Sequence, residues 1–313
     1  MELKNKIRRR LNNRLLRYSY NIKLSRTIAP MPNSLDIEIT NRCNLKCPGC
    51  PRGEMGRSLG DMSLDLYKKI IEDSHPYVYF AWLHLFGEPL LNSNVSEMIG
   101  YASKRGISCG ISTNGTVLNE KLAKNLCLSG LDTIIISIDA TTNRTYKKIR
   151  TGGNFKKLTE NIEMFLNLPE RQNINNTILQ MVKMDNNRHE IEEFIKKWKG
   201  SDRSVHIKEE DSWAGHFKNK AQLYPLERFP CRKLWERLTI DWQGNVSICC
   251  RDFRIQVNLG NIKNKSLNKI WNGQKMISLR KSLVKNELDK IPLCKSCNEW
   301  VFSDPRFKNF RSY

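Results

Sequence analysis

Between residues 35 and 208 the chain alternates short apolar runs with longer segments whose apolar residues recur every three to four positions. The short runs, 35–40, 78–86, 107–112, 133–139, 178–184 and 205–208, have the length and β-branched content of buried strands. The longer ones, 63–73, 95–104, 119–128, 155–166 and 188–199, read as amphipathic helices, several opened by an Asn or Ser that can cap them. Strands that alternate with helices predict a parallel α/β sheet. Cys43, Gly87, Asn114 and Asp139 fall at or just beyond the carboxyl ends of these runs, where parallel α/β barrels place their chemistry. A doubly wound sheet fits the alternation too.

Directly after the first strand, Cys43, Cys47 and Cys50 stand in C-x3-C-x2-C spacing. Three thiolates so close can hold three irons of a [4Fe–4S] cube and leave the fourth iron open for a ligand. The alternative is a zinc knuckle with a remote fourth ligand, although structural zinc usually shows paired C-x2-C or C-x2-H clips.

This loop resembles that of the radical S-adenosylmethionine (SAM) superfamily. Phe86-Gly87-Glu88-Pro89 is similar to the family's Gly-Glu-Pro segment, Ser112-Thr113-Asn114-Gly115 to its ribose-side strand end, and Ser137-Ile138-Asp139 with Arg150 to its later SAM contacts. The resemblance covers residues 34 to about 185 and implies a partial (β/α)6 TIM-like barrel, open on one side. It further implies that the open iron takes the amino and carboxylate groups of SAM. One electron, from a reductant such as flavodoxin or ferredoxin, then yields methionine and a 5′-deoxyadenosyl radical that abstracts a substrate hydrogen. The residue types suit that task. Glu88 can accept from an ammonium, Arg150 can pair with a carboxylate, and Ser112 and Asn114 offer neutral groups to ribose hydroxyls. Gly87 is expected to let the backbone approach the ligand, and Pro89 to stiffen the turn. One departure is Gly49, where the family usually has an aromatic residue near the adenine.

After about residue 225 the alternation stops and a second cysteine set appears: Cys231, Cys249-Cys250, then Cys294 and Cys297. Residues 238–241 and 246–248 read as a β-hairpin that carries Cys249 back towards Cys231, and 266–283 as one helix leading to the final C-x2-C. The pattern resembles the SPASM or shorter twitch extension of radical SAM enzymes, a small α+β domain with an auxiliary [4Fe–4S] cluster. Cys231, Cys249, Cys294 and Cys297 are the ligands this implies, and zinc is the alternative for the same four. Cys249 and Cys250 compete for one position, since successive strand residues point oppositely; the family's offset from the hairpin glycine favours Cys249. Cys250, Cys109 and Cys127 then read as buried thiols. The expected division is an amphipathic helix over 1–30, the barrel over 31–225 and the auxiliary domain over 226–313.

At 313 residues the chain can bury one large core and one small one. Ten cysteines would suit a secreted disulfide scaffold, but the start is charged, without a signal peptide's apolar run. Thiolates kept for iron point to a reducing cytoplasm. No run approaches the roughly 18 apolar residues that cross a bilayer. A net charge of +21 suits anionic partners, yet the basic residues are scattered, which argues against nucleic acid. They are densest at Lys4, Lys6, Arg8, Arg9, Arg10, Arg14 and Arg17, around Leu3, Ile7, Leu11, Leu15 and Tyr18 at helical spacing. Such a helix packs its stripe on the body, or makes peripheral contact with an anionic membrane.

A four-cysteine shell leaves the auxiliary cluster without a vacant iron, which suits electron transfer and therefore dehydrogenation of a substrate alcohol, with SAM as cosubstrate. Two other outcomes of the resemblance stay open. Peptide maturation by thioether or crosslink formation is one, although only 42 residues precede Cys43, few for a leader-recognition domain. Epimerisation is the other, with Cys250 as hydrogen donor. A non-catalytic iron–sulfur or zinc scaffold, or an electron-transfer protein, is the reading outside enzymes. Substrate contacts are expected from His206, Lys208, Glu210, Trp213 and His216, with a buried Lys208 or His206 as the base that takes a hydroxyl proton. Sugar or cyclitol alcohols, peptides and lipid-linked sugars all fit.

Overall fold

The computed structural model describes residues 27–217 and 230–300. The helix expected over 1–30 lies, up to residue 26, outside the described residues; residues 27–30 are irregular. The chain divides into two compact units. Residues 37–68 and 81–210 form one; the described part of the other is 27–36, 69–80, 211–217 and 230–300. The chain passes between them after Asp36, Lys68, Phe80 and Glu210.

Strands β1 (Ser34–Ile37), β2 (Phe80–Trp82), β3 (Ser108–Thr113), β4 (Leu131–Ser137), β5 (Asn176–Lys183) and β6 (Ser204–Glu209) lie side by side in chain order. Neighbours from β3 to β6 pair in parallel, the order a (β/α)6 half-barrel requires. Helices α1 (Leu64–Ser74), α2 (Val95–Lys104), α3 (Glu120–Leu128), α4 (Asn143–Ile149), α5 (Phe155–Leu166) and α6 (Ile191–Trp198) make the crossovers. Helix α4 was not expected, because Asn-Arg-Thr-Tyr-Lys-Lys-Ile carries no apolar stripe; Thr142 starts it by accepting from the Thr145 amide. One face of the sheet is core: Ile111 on β3, Ile134 and Ile136 on β4 and Leu179 on β5 are fully buried, as are Met98, Leu126, Leu158, Phe165 and Phe194 of the helices. Cys109 and Cys127 belong to this core, and burial pushes their thiols up to about 12 and about 11.

In the other unit β7 (Arg237–Ile240), β8 (Asn245–Ser247) and β9 (Asn258–Asn261) form an antiparallel meander. The expected hairpin is its first half. Asp241 closes that turn by accepting from the Gln243 and Asn245 amides at 3.0 and 2.8 Å. The single helix expected over 266–283 is two, α7 (Leu267–Trp271) and α8 (Gln274–Val284). Gly273 breaks them apart with ψ of 158° as the cap of the second, and a Cβ there would lie 2.8 Å from the Lys269 carbonyl oxygen. Arg280 is the buried post of this unit: it donates to the carbonyls of Leu234 and Thr27 and lies 4.2 Å above the Trp271 ring. No described helix is long and apolar enough to cross a membrane.

Candidate active site

The three-cysteine loop leaves β1 and is tied down on every side. Beneath it, Arg57 forms a bidentate pair with buried Glu38 at 2.7 and 2.8 Å. Asn41 exchanges hydrogen bonds with Ser58 and Gly60, both at 2.8 Å. Between Cys43 and Cys47, the Lys46 amide donates to the Thr151 carbonyl at 2.9 Å. A loop fixed in this way holds its three thiols in place, and all three are half-exposed and outside any disulfide.

What surrounds the sulfurs differs from the ligand contacts expected of the same residues. Asn114, just past β3, gives its amide N–H groups to Asn44 Oδ1 at 3.0 Å and towards Cys43 Sγ at 3.9 Å, and its oxygen accepts from Thr116. Arg150 directs Nη1 to Cys47 Sγ at 3.8 Å and pairs Nη2 with Asp139 Oδ2 at 2.5 Å. The Leu45 amide donates to Cys43 Sγ at 3.4 Å. Glu88 is buried and accepts from the Leu90 amide, the Thr113 hydroxyl and the Asn114 amide at 3.0, 2.7 and 2.7 Å. Three of its roughly four acceptor positions therefore serve the protein. Burial, against these donors, still pushes its carboxyl up. The reason for Gly87 is also internal. A Cβ there would sit 2.2 Å from the Thr40 carbonyl oxygen, so packing against the chain's own backbone alone requires glycine.

Strand register assembles a second set of polar groups. Ser112 pairs with Ile135, Ile135 with Ile178, and Ile178 with Ser204. One step towards the carboxyl ends, Ser137, Gln180 and His206 stand in a row, and beyond them Val182 faces Lys208. All lie on the face opposite the helices, by strict alternation along each strand. His84 joins it from the end of β2, where its Nδ1 accepts from the Ser112 amide at 3.0 Å, which leaves the Nε2–H tautomer when the ring is neutral. His206 is half-buried, and burial holds it below the usual histidine range. Lys208 is exposed, so it lacks the buried setting expected of a lysine base. Gln180 and His84 were not expected; a lone Gln at alternating spacing in Ile-Leu-Gln-Met-Val was the available signal. Glu210 brings a carboxylate oxygen within 3.7 Å of where a Cβ on Gly49 would stand. Trp213 and His216 belong to the other unit, where His216 stacks edge-on against Phe217 and Phe253.

In that unit Cys231, Cys249, Cys294 and Cys297 line one pocket, walled by Leu234, Leu283, Leu293 and Trp300. Cys250 is not in its lining; it takes a hydrogen bond from Arg251 Nη1 at 3.4 Å. Arg251 bridges Asp211 and Glu299 at 2.7 and 2.6 Å, and Lys233, also in the lining, pairs with Glu299 at 3.5 Å. Burial pushes Cys297 up to about 11, as it raises Cys43 and Cys50, so these thiols become thiolates only beside a strong cation. Iron supplies one. Among the described residues no three His, Cys, Asp or Glu side chains are grouped as for a single metal ion; a cubane, being larger, puts each thiolate on a separate iron. Four thiols that line one apolar-walled pocket, and N–H groups aimed at the loop sulfurs, fit two such clusters.

Comparison with known proteins agrees. The model of the radical SAM superfamily matches residues 37–197, and that of an iron–sulfur cluster-binding (SPASM) domain matches 231–298. A tungsten-containing aldehyde ferredoxin oxidoreductase cofactor-modifying protein from Pyrococcus furiosus is 37% identical over 110 residues, 34% of this chain and 30% of that protein. The first curated relatives are thus matched over less than half their length. The S-adenosyl-L-methionine-dependent 2-deoxy-scyllo-inosamine dehydrogenase of Niallia circulans is 24% identical over 275 residues, 84% of this chain and 92% of that one. Among solved structures, BtrN in complex with AdoMet and 2-DOIA aligns with a TM-score of 0.62 at 21% identity, over 87% of this chain and 94% of that one. Streptococcus suis SuiB bound to precursor peptide SuiA aligns at 0.64 and 15%, over 84% and 70%.

Proposed function

Since the chain belongs to the radical SAM superfamily and carries a SPASM iron–sulfur domain, we propose that it dehydrogenates a small hydroxylated substrate, a cyclitol or sugar alcohol, with SAM as cosubstrate. The observation that carries this reading is the single pocket lined by Cys231, Cys249, Cys294 and Cys297. Four protein thiolates complete a cluster's shell and leave no iron for substrate, which suits an electron acceptor. When bound, the cluster on Cys43, Cys47 and Cys50 would supply the electron that cleaves SAM, and the auxiliary cluster would take the electron left after hydrogen abstraction and deprotonation.

The chain's own residues divide the remaining work. Ser137, Gln180, His206 and His84 offer donors and acceptors on one sheet face, the equipment for substrate hydroxyls rather than for an apolar side chain. Neutral His206 is the base we assign to the hydroxyl proton. We assign residues 31–225 to SAM chemistry and 226–313 to the auxiliary cluster, and place the enzyme in a reducing cytoplasm, where flavodoxin or ferredoxin would reduce it. The 24% identity to the Niallia dehydrogenase over 92% of its length supports the cyclitol class; the likeness to SuiB keeps a peptide as the second reading.

The test is anaerobic reconstitution, with iron and sulfide counted per chain, followed by dithionite, SAM and 2-deoxy-scyllo-inosamine. About eight irons, 5′-deoxyadenosine formation and one ketone per SAM consumed are the expected results. Formation of 5′-deoxyadenosine without ketone, with the substrate carbon inverted and carrying one solvent-derived hydrogen, would indicate epimerisation. Cleavage with about four irons would remove the electron acceptor and sink the dehydrogenase.

A further inference from the structure

Arg150 is built into the cysteine loop more firmly than a residue waiting for a ligand's carboxylate. Its guanidinium is buried, with Nη1 3.8 Å from Cys47 Sγ and Nη2 2.5 Å from Asp139 Oδ2. Asp139 is itself fixed from three directions. Its Oδ1 accepts from the Val182 amide at 2.7 Å, its carbonyl accepts from Asn187 Nδ2 at 2.9 Å, and Oδ2 holds the arginine. Its φ is 64°, a left-handed conformation that a residue other than glycine keeps only where its surroundings hold it. The aspartate is thus a post set against β5, and the arginine reaches from it to sulfur. Cys43 receives only neutral donors, the Leu45 amide and Asn114; Cys47 receives a cation.

Reducing an iron–sulfur cluster by one electron adds negative charge that is shared with its thiolates, and N–H groups directed at those sulfurs favour the reduced state. We propose that Asp139 and Arg150 are a positioning pair that sets the reduction potential of the SAM-binding cluster. Arg150 raises it through the hydrogen bond to Cys47; Asp139 aims the guanidinium and offsets part of its charge. The inference rests on the assignment of a cluster to Cys43, Cys47 and Cys50 and is independent of the substrate.

The two members carry opposite charges, so the experiment has a signature that damage to the fold would not produce. The full chain is reconstituted anaerobically and titrated by EPR-monitored potentiometry without SAM, following the signal that shifts when SAM is later added. Arg150→Gln is expected to move the midpoint negative by about 59 mV, a tenfold change in a one-electron equilibrium. Arg150→Lys should stay within a third of that shift. Asp139→Asn should move the midpoint positive, since Asn tolerates the left-handed backbone and keeps the shape while losing the charge. Shifts of the same sign, or an unmoved midpoint in Arg150→Gln, overturn the proposal. An unmoved midpoint with a tenfold loss of SAM affinity would return Arg150 to the carboxylate of SAM. Should Arg150→Gln load no iron, the sign for Asp139→Asn decides: a positive shift supports the proposal and a negative or absent one overturns it. A wild-type protein with no SAM-sensitive signal would remove the cluster assignment, and the proposal with it, a failure distinct from a signal that is present and unmoved.

Discussion

His206 carries the chemistry most directly open to a pH measurement. Burial is what lowers its pKa from 6.5, because an imidazolium loses more hydration than a neutral ring. A base must be neutral to act, and a lowered value keeps it so across neutral pH. Substrate oxidation should therefore stay flat from about pH 8 down past the ordinary histidine value of about 6.5, and fall only as pH drops through the depressed one. In His206→Gln that fall should vanish, with a loss of about 10²–10⁴ in rate, while 5′-deoxyadenosine still forms. A profile unchanged by the substitution would dismiss His206 as the base. The cysteines were legible from spacing alone, since a cluster loop is a local object. The hydrogen-bond partners of Glu88, Asn114 and Arg150 were not. Each of the three has partners far off in sequence, as Arg150 has Cys47, 103 positions away, and a motif records the residue without recording where its hydrogen bonds go.

At the scale of elements, the turn between β2 and α2 bears the tightest steric demand. The Glu88 amide donates to the Arg42 carbonyl at 2.8 Å, which brings Gly87 against Thr40 and the root of the cysteine loop. A methyl at Gly87 would meet the Thr40 oxygen at 2.2 Å, and backbone cannot turn aside as a flexible side chain can. Gly87→Ala should destabilise the protein by about 3 kcal/mol and lower iron retention, read by anaerobic thermal unfolding and iron content. Full iron and an unchanged transition would show that the loop yields. The six-strand alternation was readable because parallel strands buried on one side by helices must be apolar at alternate positions. Helix α4 lay outside that logic, since it is held by a cap and three buried residues, Thr145, Tyr146 and Ile149, rather than by a stripe. The break at Gly273 was missed for the opposite reason: apolar residues continue across it in helical register, and only the glycine signals the stop.

For the whole molecule, charge is the property that neither motif nor strand order explains. With 53 Lys and Arg against 32 Asp and Glu, the chain is cationic far beyond what two clusters require, and a field of that sign gathers anionic partners. An acidic flavodoxin is the reductant such a field would steer. Screening shortens the reach of that attraction from roughly 30 Å at 0.01 M salt to about 3 Å at 1 M. With flavodoxin limiting and SAM saturating, 5′-deoxyadenosine formation should fall at least about tenfold across that range. With flavodoxin saturating, the rate should change little, because the field acts on encounter and not on the bond that breaks. The comparison separates steering from a salt effect on the fold, which would depress both rates alike. A limiting rate indifferent to salt would mean that the reductant docks by shape alone, and the excess of lysine would then need another explanation, such as an anionic surface met by the basic start of the chain.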